Sequence, residues 1–562
     1  MSCGRPGADI MRILRRMQIL TLLSLLVLLV TGAGTIPPLA DAARLVGFQV
    51  ESGQQDHTGE ERGRDLHVLH EVMRQVADNY LLALDPVRLA AGAIEGMSTA
   101  AGGEQFIAKR EGDAVRLQVG ETSALIPLAR DHKTNREALL AAFEFIRKAS
   151  PAAPVKELTY GAIDGILAQL DSHSSFMPPE AYRETQLETQ GTFGGVGIQI
   201  AVKDRQLTVV MPIAGTPAER AGLQPGDRIT NIDRAPTREM TFTDAVHRLR
   251  GPPGTSVAVT ILRPESPGPF TVTLTREVIA LKPIKAVELD HAIGYIRILS
   301  FSEQSGRDLQ QTAQGLTEKG VRGLILDLRG NRGGLFNESV RAAELFLELG
   351  QPVVSTTSRH KSEAALYKTK RSGPLQKVPV IVLVNGTSAS ASEIVAGALQ
   401  DLKRALVIGS KTYGKGSVQT IIPLSDGSAL RLTTARYLTP RGRTIDGAGI
   451  NPDLLIRDQE DERSSVKQAP QEATKGRKRE RSRTLRDRQQ QKIADQEDDP
   501  SVVIGRRETV DLHKDQPLGL AWRTLQAAQG ADVDKLLGAA RSLLPAQRGA
   551  ELDLPAGSVA PQ

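Results

Sequence analysis

The side chains best suited to chemistry lie in two segments of small residues, and each segment follows an apolar strand. The first, residues 385–394, contains a run of serines with Ser390 in the middle and opens a predicted helix. Free amides and the dipole at a helix N-terminus favour a negative charge, such as a serine alkoxide or a tetrahedral oxyanion. The segment therefore predicts a serine nucleophile, although a serine-rich helix cap would have the same composition.

The second segment, residues 412–419, contains Lys415 between Gly414 and Gly416. The glycines remove side-chain bulk and let the backbone turn tightly around the lysine. Burial can lower the pKa of a lysine until it is neutral near pH 7 and can act as a general base. The alternative is a phosphate-binding loop, but its pattern requires Ser or Thr directly after the lysine. We therefore expect Ser390 and Lys415 to meet at one sheet edge as nucleophile and base, without a histidine.

A third segment, residues 326–334, also follows a predicted strand and ends in the glycine pair Gly333 and Gly334. Amides that no side chain obstructs suit an oxyanion hole, and a plain tight turn is the alternative. His173 is a candidate for a histidine triad, but the Asp/Ser cluster around it is typical of a helix cap. The sequence has no Gly-x-Ser-x-Gly elbow and no cluster with metal-ligand spacing. We expect neither a metal nor a cofactor.

The composition is that of a globular protein, and 562 residues predict two or three domains. The net charge of +6 is smaller than the local excess of nine Lys and Arg over two acids in residues 475–492. The positive charge therefore belongs to one tract and not to a folded basic face. Aromatic residues make up only 3% of the chain, which leaves few surfaces on which bases could stack. We do not expect a nucleic-acid partner.

The N-terminus has the residue order of a secretory signal peptide. Arg12, Arg15 and Arg16 precede an apolar run over residues 19–30, and Ala40-Asp-Ala42 then offers small residues for cleavage. We expect an exported, periplasmic protein, and an uncleaved segment that tethers it to the inner membrane is the alternative. The single cysteine precedes the signal, so the mature protein must rely on its own core and not on disulfides.

Periodicity divides the chain into regions of different composition. Residues 1–43 form the signal peptide or anchor, and residues 44–190 are helical, with an internal echo between residues 89–97 and 158–166. Short strands separated by turn residues dominate residues 191–281, and residues 282–456 alternate strand and helix, which predicts an α/β layer with a parallel sheet. Residues 457–505 form a charged linker, and residues 506–562 form a helical extension. Residues 103–133 contain short β-like stretches that we leave unassigned.

With these segments identified, the chain resembles the C-terminal processing, or tail-specific, serine peptidase family over about residues 66–453. The resemblance implies a multi-domain α/β protein with a helical N-terminal region, an embedded PDZ domain and a crotonase-like catalytic core. The motifs that carry it are Tyr160-Gly-Ala-Ile-Asp-Gly-Ile166, Leu170-Asp-Ser-His-Ser-Ser-Phe176, Phe193-Gly-Gly-Val-Gly-Ile198, Thr216-Pro-Ala-Glu-Arg-Ala-Gly-Leu-Gln-Pro-Gly-Asp227, Asp327-Leu-Arg-Gly-Asn331, Ser388-Ala-Ser-Ala-Ser-Glu-Ile394 and Gly414-Lys-Gly-Ser-Val-Gln419.

The family's catalytic residues carry over onto matching positions of this sequence. The resemblance implies that Ser390 is the nucleophile, that Lys415 is the base and that Gln419 orients the lysine. It also implies an oxyanion hole built from the amide of Ala391 and one amide of the Gly333-Gly334 turn. Arg332 stands where the family usually has proline, which either loosens this half of the hole or places a cation beside it.

By the same resemblance, the PDZ domain would bind the C-terminal carboxylate of a substrate tail and add the tail as a strand. The helix over residues 243–250 would form the other wall of the groove. Arg250, at the end of that helix, would couple the PDZ domain to the catalytic face, and a solvated arginine is the alternative. The predicted tail-binding residues are Phe193, Gly194, Gly195, Val196, Gly197 and Ile198.

The predicted function is that of an exported serine endopeptidase that cleaves proteins near their C-termini. A catalytically silent PDZ adaptor is the first alternative, and its weakness is that an adaptor has no reason to keep Ser390, Lys415 and Gln419 together. A crotonase-like acyl hydrolase is a second alternative, against which the PDZ segment counts. The expected partners are protein substrates, and the terminal helices leave a homodimer open.

Overall fold

The computed structural model describes residues 57–102, 105–203, 206–264, 266–360, 364–456, 511–528 and 532–544. The predicted signal peptide or anchor, residues 1–43, and the predicted linker, residues 457–505, lie outside the described residues. The chain divides into two compact units, Met1–Arg62 and Gly63–Gln562. None of the helices that the structure describes is long and apolar enough to span a membrane.

The N-terminal region is helical, and its internal echo forms a close helix crossing. Its helices are α1 (His57–Asn79), α2 (Pro86–Ala100), α3 (His132–Ala149), α4 (Val155–Leu167) and α5 (Pro179–Thr189). The echoing segments lie on α2 and α4, where a methyl group on Gly96 would lie 2.0 Å from the carbonyl oxygen of Gly161. Because only glycine permits this approach, the repeated glycines set the contact between the two helices.

The segment that the sequence left unassigned forms a small antiparallel sheet of three strands. The strands are β1 (Phe106–Glu111), β2 (Ala114–Val119) and β3 (Thr122–Pro127), in the order β1-β2-β3. The inward residues Phe106, Val115, Leu117 and Ile126 are buried in the core of the helical region. Buried and exposed residues alternate along these strands, but each strand is only six residues long. The sequence pattern therefore indicated β-structure without showing which strands pair.

The middle region is an antiparallel sheet with its own core, as its strand and turn pattern predicted. The sheet order is β11-β10-β8-β7-β6, so β6 is an edge strand, and a separate pair joins β5 to β12. The predicted helix over residues 243–250 is present as α7, one residue earlier. The elements are β5 (Thr192–Gly195), β6 (Ile198–Lys203), β7 (Gln206–Pro212), α6 (Pro217–Arg220), β8 (Arg228–Ile232), β9 (Ala235–Pro236), α7 (Phe242–Leu249), β10 (Ser256–Leu262), β11 (Phe270–Thr275) and β12 (Glu277–Ala280).

A largely parallel sheet follows, which confirms the predicted α/β class. Its order is β13-β14-β15-β18-β19-β22, and only β13 pairs in the antiparallel sense. Every residue of β18 is buried, because helices cover both faces of the sheet. The elements are β13 (Ile284–Leu289), β14 (Ile293–Ile298), α8 (Ser305–Glu318), β15 (Gly323–Asp327), α9 (Phe336–Glu344), β18 (Val380–Val384), α10 (Ala391–Asp401), β19 (Leu406–Gly409) and β22 (Leu454–Leu455).

A second sheet joins the N-terminal region to this core. Its order is β17-β16-β21-β20, and β4 (Ser175–Met177) pairs with β21 although it lies far earlier in the chain. The turn that precedes β4 is thereby carried to the strands around Lys415. The remaining strands are β16 (Pro352–Ser358), β17 (Ala365–Lys368), β20 (Ser417–Pro423) and β21 (Ala429–Leu438).

The C-terminal extension covers the other face of the parallel sheet. The sequence predicted one helical piece, and the structure has two helices, α11 (Gln516–Ala527) and α12 (Val533–Ser542). Alternate residues of each strand face this side, as the period of a β-strand requires. The buried contacts join Leu518, Ala521, Leu536 and Ala540 to Ile293, Tyr295, Ile325, Ile381, Leu383, Leu406 and Ile408.

Candidate active site

Ser390 lies at a sharp turn between β18 and α10. Its backbone has φ 55° and ψ −114°, a conformation that costs a non-glycine residue on the order of 1–3 kcal/mol. Buried hydrogen bonds hold the turn in place: the Ser388 hydroxyl donates to the Leu328 carbonyl at 2.8 Å, and the Ala389 amide donates to the Asn331 carbonyl at 3.0 Å. The surrounding bonds therefore maintain a strained backbone at the predicted nucleophile.

Glu393, which the sequence analysis did not single out, joins the two predicted catalytic segments. Its buried carboxylate accepts hydrogen bonds from the amides of Ser390 at 2.8 Å, Gly414 at 2.8 Å and Lys415 at 2.9 Å, and from the Thr412 hydroxyl. Burial raises the pKa of Glu393, and these four hydrogen bonds act in the opposite direction. A signal was present, because Ser-x-x-Glu is the pattern of a helix capping box.

Lys415 is half-buried in a loop that has no room for larger neighbours. A methyl group on Gly416 would lie 2.2 Å from the amide nitrogen of Asp446. Burial is the main cause that lowers the pKa of Lys415, Arg431 lowers it further, and Asp171 and Glu393 raise it. A lysine whose pKa lies below its ordinary value is neutral more often near pH 7, as a general base must be.

The hydroxyl of Tyr437 lies between the two predicted catalytic residues. It donates to the main-chain carbonyl of Lys415, and the neighbouring Ser390 side chain acts to lower its pKa. Burial raises the pKa of Tyr437, so the phenol keeps its proton. Within the part of the chain that the structure describes, the side chains of Ser390 and Lys415 are not hydrogen-bonded to each other. The structure thus brings their segments together, with Tyr437 beside both.

Gln419 lies on β20 opposite Thr433 of β21. Its amide nitrogen donates to the hydroxyl of Ser417 at 2.8 Å and to that of Thr433 at 3.4 Å. These bonds fix the side chain beside the lysine loop, but they do not reach the Lys415 amine. The orienting role of Gln419 stays a prediction.

The glycine pair contacts the nucleophile, but its two amides differ. A methyl group on Gly333 would lie 2.8 Å from Cβ of Ser390, so this loop lies directly against the serine. The Gly333 amide donates to the Asn331 side chain at 2.8 Å and is therefore occupied within the loop. Of the predicted pair, this leaves Gly334 as the candidate donor. The side chain of Arg332 is exposed at the start of this turn.

Of the predicted tail-binding residues, Phe193, Gly194 and Gly195 lie in β5 and pair with β12. Their glycines serve close packing, since a methyl group on Gly194 would lie 2.3 Å from the carbonyl oxygen of Gly251. The predicted loop is therefore shorter than the motif. It consists of Val196 and Gly197, which join β5 to Ile198 at the start of β6. Their carbonyls accept hydrogen bonds from the amides of Ala218 and Ile213 respectively.

Arg250 connects α7 to the helical region and is only 20% exposed. Its guanidinium lies 4.7 Å from the ring centroid of Phe193 and forms an ion pair with Glu188 of α5 at 3.6 Å. This burial is inconsistent with a simply solvated arginine. Its coupling role stays a prediction.

The turn that contains His173 lies between the end of α4 and the start of β4, so its Asp171 stabilises a turn and does not cap a helix. Asp171 accepts hydrogen bonds from the amides of His173 at 2.7 Å and Ser174 at 3.0 Å. Across the described ranges, no group of three or more His, Cys, Asp or Glu side chains could hold a metal ion.

Comparison with known proteins relates both the middle region and the region of the parallel sheet to known families. Residues 292–456 match the model of peptidase family S41, and residues 208–263 match that of the PDZ domain. A carboxy-terminal-processing protease of Bartonella bacilliformis is 40% identical over 348 residues, which are 60% of this chain and 80% of that protein. A carboxyl-terminal-processing protease of Synechocystis sp. is 40% identical over 309 residues, 54% of this chain and 71% of that protein. Among solved structures, a photosystem II D1 C-terminal processing protease is 27% identical, with coverage of 70% and 93% and a TM-score of 0.39.

Proposed function

This chain belongs to the carboxy-terminal-processing protease family and is a serine protease, and from that premise we propose that Ser390 is its nucleophile and Lys415 its general base. The observation that carries the proposal is the shared carboxylate of Glu393, which accepts from the amides of both residues. The lowered pKa of Lys415 supports the same assignment, because a base must be able to accept a proton.

The reaction begins when the Ser390 hydroxyl turns to the lysine. Its oxygen attacks the substrate carbonyl carbon while its proton passes to the Lys415 amine. The amides of Ala391 and Gly334 hold the oxyanion, since the Gly333 amide is occupied by Asn331. Lys415 then gives the proton to the leaving amine, and water hydrolyses the acyl-enzyme by the same steps. Gln419, which its contacts on β20 and β21 hold beside the lysine loop, is proposed to orient the lysine during the reaction.

The PDZ domain is proposed to hold the C-terminal tail of the substrate. The edge strand β6 offers unpaired backbone groups to an extended peptide, and the loop of Val196 and Gly197 lies at its beginning. The core beside this strand is apolar, which favours an apolar tail. The contact of Arg250 with Glu188 supports coupling between tail binding and the rest of the enzyme.

The proposed place of action is the periplasm. Its support is the residue order before position 43, in which arginines, an apolar run and small residues follow one another. The substrates are accordingly exported proteins with accessible C-termini.

Cleavage of unfolded casein and of a matched pair of peptides tests the proposal. The peptides share one sequence and end in either a free carboxylate or an amide. Wild-type protein should cleave casein and prefer the free tail, whereas Ser390→Ala and Lys415→Ala should each lose on the order of 10⁴-fold in kcat. Lys411→Ala, an exposed lysine in the same loop, is the matched control and should keep wild-type activity. Wild-type turnover by Lys415→Ala would remove the assignment of the base.

A further inference from the structure

The turn that follows α4 lies beside the proposed base, although it belongs to the N-terminal region. Pairing of β4 with β21 fixes its position: Ser175 lies opposite Arg431, and Phe176 lies opposite Leu430. The residues directly before Ser175 are therefore held beside the middle of β21, where Ser174 contacts Thr433. Asp171 is the acidic residue of this turn.

Asp171 is a half-buried carboxylate with an unusually full set of donors. Its Oδ1 accepts from the amides of His173 and Ser174 at 2.7 and 3.0 Å and from the Thr433 hydroxyl at 3.1 Å. Its Oδ2 accepts from the Ser174 hydroxyl at 3.3 Å. Burial acts to raise the pKa of Asp171, but the hydrogen bonds outweigh it and hold the pKa below its ordinary value. The group is therefore a carboxylate throughout the neutral range.

Hydrogen bonds connect this carboxylate to Gln419 on β20, the strand that follows the proposed base. Thr433 donates its hydroxyl to Asp171 and accepts at the same oxygen from the Gln419 amide at 3.4 Å. The Thr433 amide donates to the Ser174 hydroxyl at 3.2 Å, which ties the turn to β21 a second time. A path of two hydrogen bonds thus runs from Asp171 through Thr433 to Gln419.

The charged groups around Lys415 come from several elements and have opposing effects. Burial and Arg431 lower its pKa, whereas Asp171 and Glu393 raise it. The lysine charge also reaches His173, whose pKa is lowered mainly by burial and then by Lys415. The titratable and charged groups that face the lysine and its acidic neighbour are Tyr80, Asp171, His173, Glu393, Arg431, Arg436 and Asp446.

We propose that Asp171 is a positioning residue of the catalytic reaction, which orients Gln419 through Thr433 and stabilises the positive charge that Lys415 gains when it takes the proton of Ser390. The proposal rests on the function proposed above, in which Lys415 is the base. No co-reactant is needed, because the proton moves from the Ser390 oxygen to the Lys415 nitrogen as the new bond to the substrate carbon forms.

Burial and Arg431 favour the neutral amine, and Asp171 favours the ammonium that forms as the serine is deprotonated. Removing its charge should therefore slow the proton transfer and also lower the pH at which Lys415 loses its proton. Removing the charge of Arg431 should move that pH in the opposite direction. A residue that merely supports the fold would move neither.

The test is the pH dependence of kcat/KM for a short peptide substrate. Asp171→Asn is a conservative substitution. The remaining side-chain oxygen can keep the three hydrogen bonds of Oδ1, while the negative charge is lost. We expect kcat to fall about tenfold with KM unchanged, and the rising limb of the profile to shift down by about one pH unit. Arg431→Gln should shift the limb up. Glu180→Gln, which removes the charge of an exposed acid on α5, is the control and should leave the limb in place.

The outcomes separate this inference from the assignment of the base. If Lys415→Ala is inactive and Asp171→Asn has the wild-type limb, the role of Asp171 is refuted while the base stands. If Lys415→Ala remains active, the proposed function fails first. Thr433→Val removes the connecting hydroxyl and keeps every charge, so it tests the path even if Asp171→Asn does not fold. A wild-type kcat for Thr433→Val would overturn the connection to Gln419.

Discussion

The main-chain amides of Ser390 and Lys415 donate to the same oxygen atom, Oε2 of Glu393, at 2.8 and 2.9 Å. The two nitrogens can therefore be no further apart than the sum of these distances. Because the carboxylate is fully buried, movement of either segment would leave a buried polar group without its partner. This tie limits the separation of the backbone segments of the proposed nucleophile and base without any bond between their side chains.

Substitution of Glu393 tests the importance of that tie. Glu393→Gln replaces one accepting oxygen with an NH₂ group. An NH₂ group cannot accept the hydrogen bonds that the amides of Ser390 and Lys415 donate. We expect a loss of about 1–3 kcal/mol in the free energy of unfolding and a fall in kcat of at least about tenfold. The measurements are chemical denaturation and peptide cleavage. Glu338→Gln, at a buried acid bonded to the Gly306 amide on α8, should destabilise the protein and spare kcat; equal loss of kcat in both would contradict the account.

Tyr437 should control how the serine and the lysine loop are placed. Tyr437→Phe keeps the buried ring and removes the hydroxyl that bonds the Lys415 carbonyl beside Ser390. The orphaned carbonyl should loosen the loop, so we expect kcat to fall about tenfold while KM stays constant. Steady-state kinetics measure both. Tyr367→Phe, at a tyrosine that packs on Phe336, serves as the control, and a wild-type kcat for Tyr437→Phe would show that the hydroxyl is dispensable.

The C-terminal extension should stabilise the loop that contains the glycine pair. Arg329 bonds Asp515 at 2.8 and 2.7 Å and also Asp327, and its side chain is only 10% exposed. Asp515→Asn removes one charge from this buried arrangement, and we expect a loss of roughly 1–3 kcal/mol in the free energy of unfolding and reduced activity. Denaturation curves provide the first measurement and peptide cleavage the second.

The same extension offers an exposed ion pair for comparison, Lys403 with Asp534 at 3.2 Å. Asp534→Asn should change the free energy of unfolding by no more than about 0.5 kcal/mol, because exposed pairs contribute little. If Asp515→Asn and Asp534→Asn both change the free energy of unfolding this little, the bonds between Arg329 and the extension do not contribute to stability.

Local pattern was enough to predict the α/β core and the two segments of the site. Ser390 and Lys415 follow β18 and β19, which are parallel neighbours, so the ends of these strands must lie at one edge of the sheet. The two glycines around Lys415 and the serine run were visible without any knowledge of the fold. The glycines of the internal echo likewise marked a feature that became the contact between α2 and α4.

The contacts that sequence could not supply depend on distant parts of the chain. Asp171 reaches Thr433, and Arg329 reaches Asp515, only after the sheets have assembled. The resemblance implied one amide of the Gly333-Gly334 turn without distinguishing them, and the Asn331 side chain accepts the hydrogen bond of Gly333. The sequence also did not show that Phe193, Gly194 and Gly195 pair in a strand, since glycine serves close packing and carboxylate binding equally well. Residue type alone does not distinguish these uses.

The activation of Ser390 by Lys415 can be tested by the pH dependence of covalent labelling of Ser390 with a fluorophosphonate. Intact mass and peptide mapping give the rate and the site of labelling for the wild type, Lys415→Ala and Lys411→Ala. If Lys415 activates Ser390, the rate of wild-type labelling should rise with pH through a pKa below 10.5, the ordinary value for lysine. We also expect labelling to be at least about 100-fold slower in Lys415→Ala and unchanged in Lys411→Ala. Wild-type labelling of Lys415→Ala, or label on a different serine, would contradict the activation of Ser390 by Lys415.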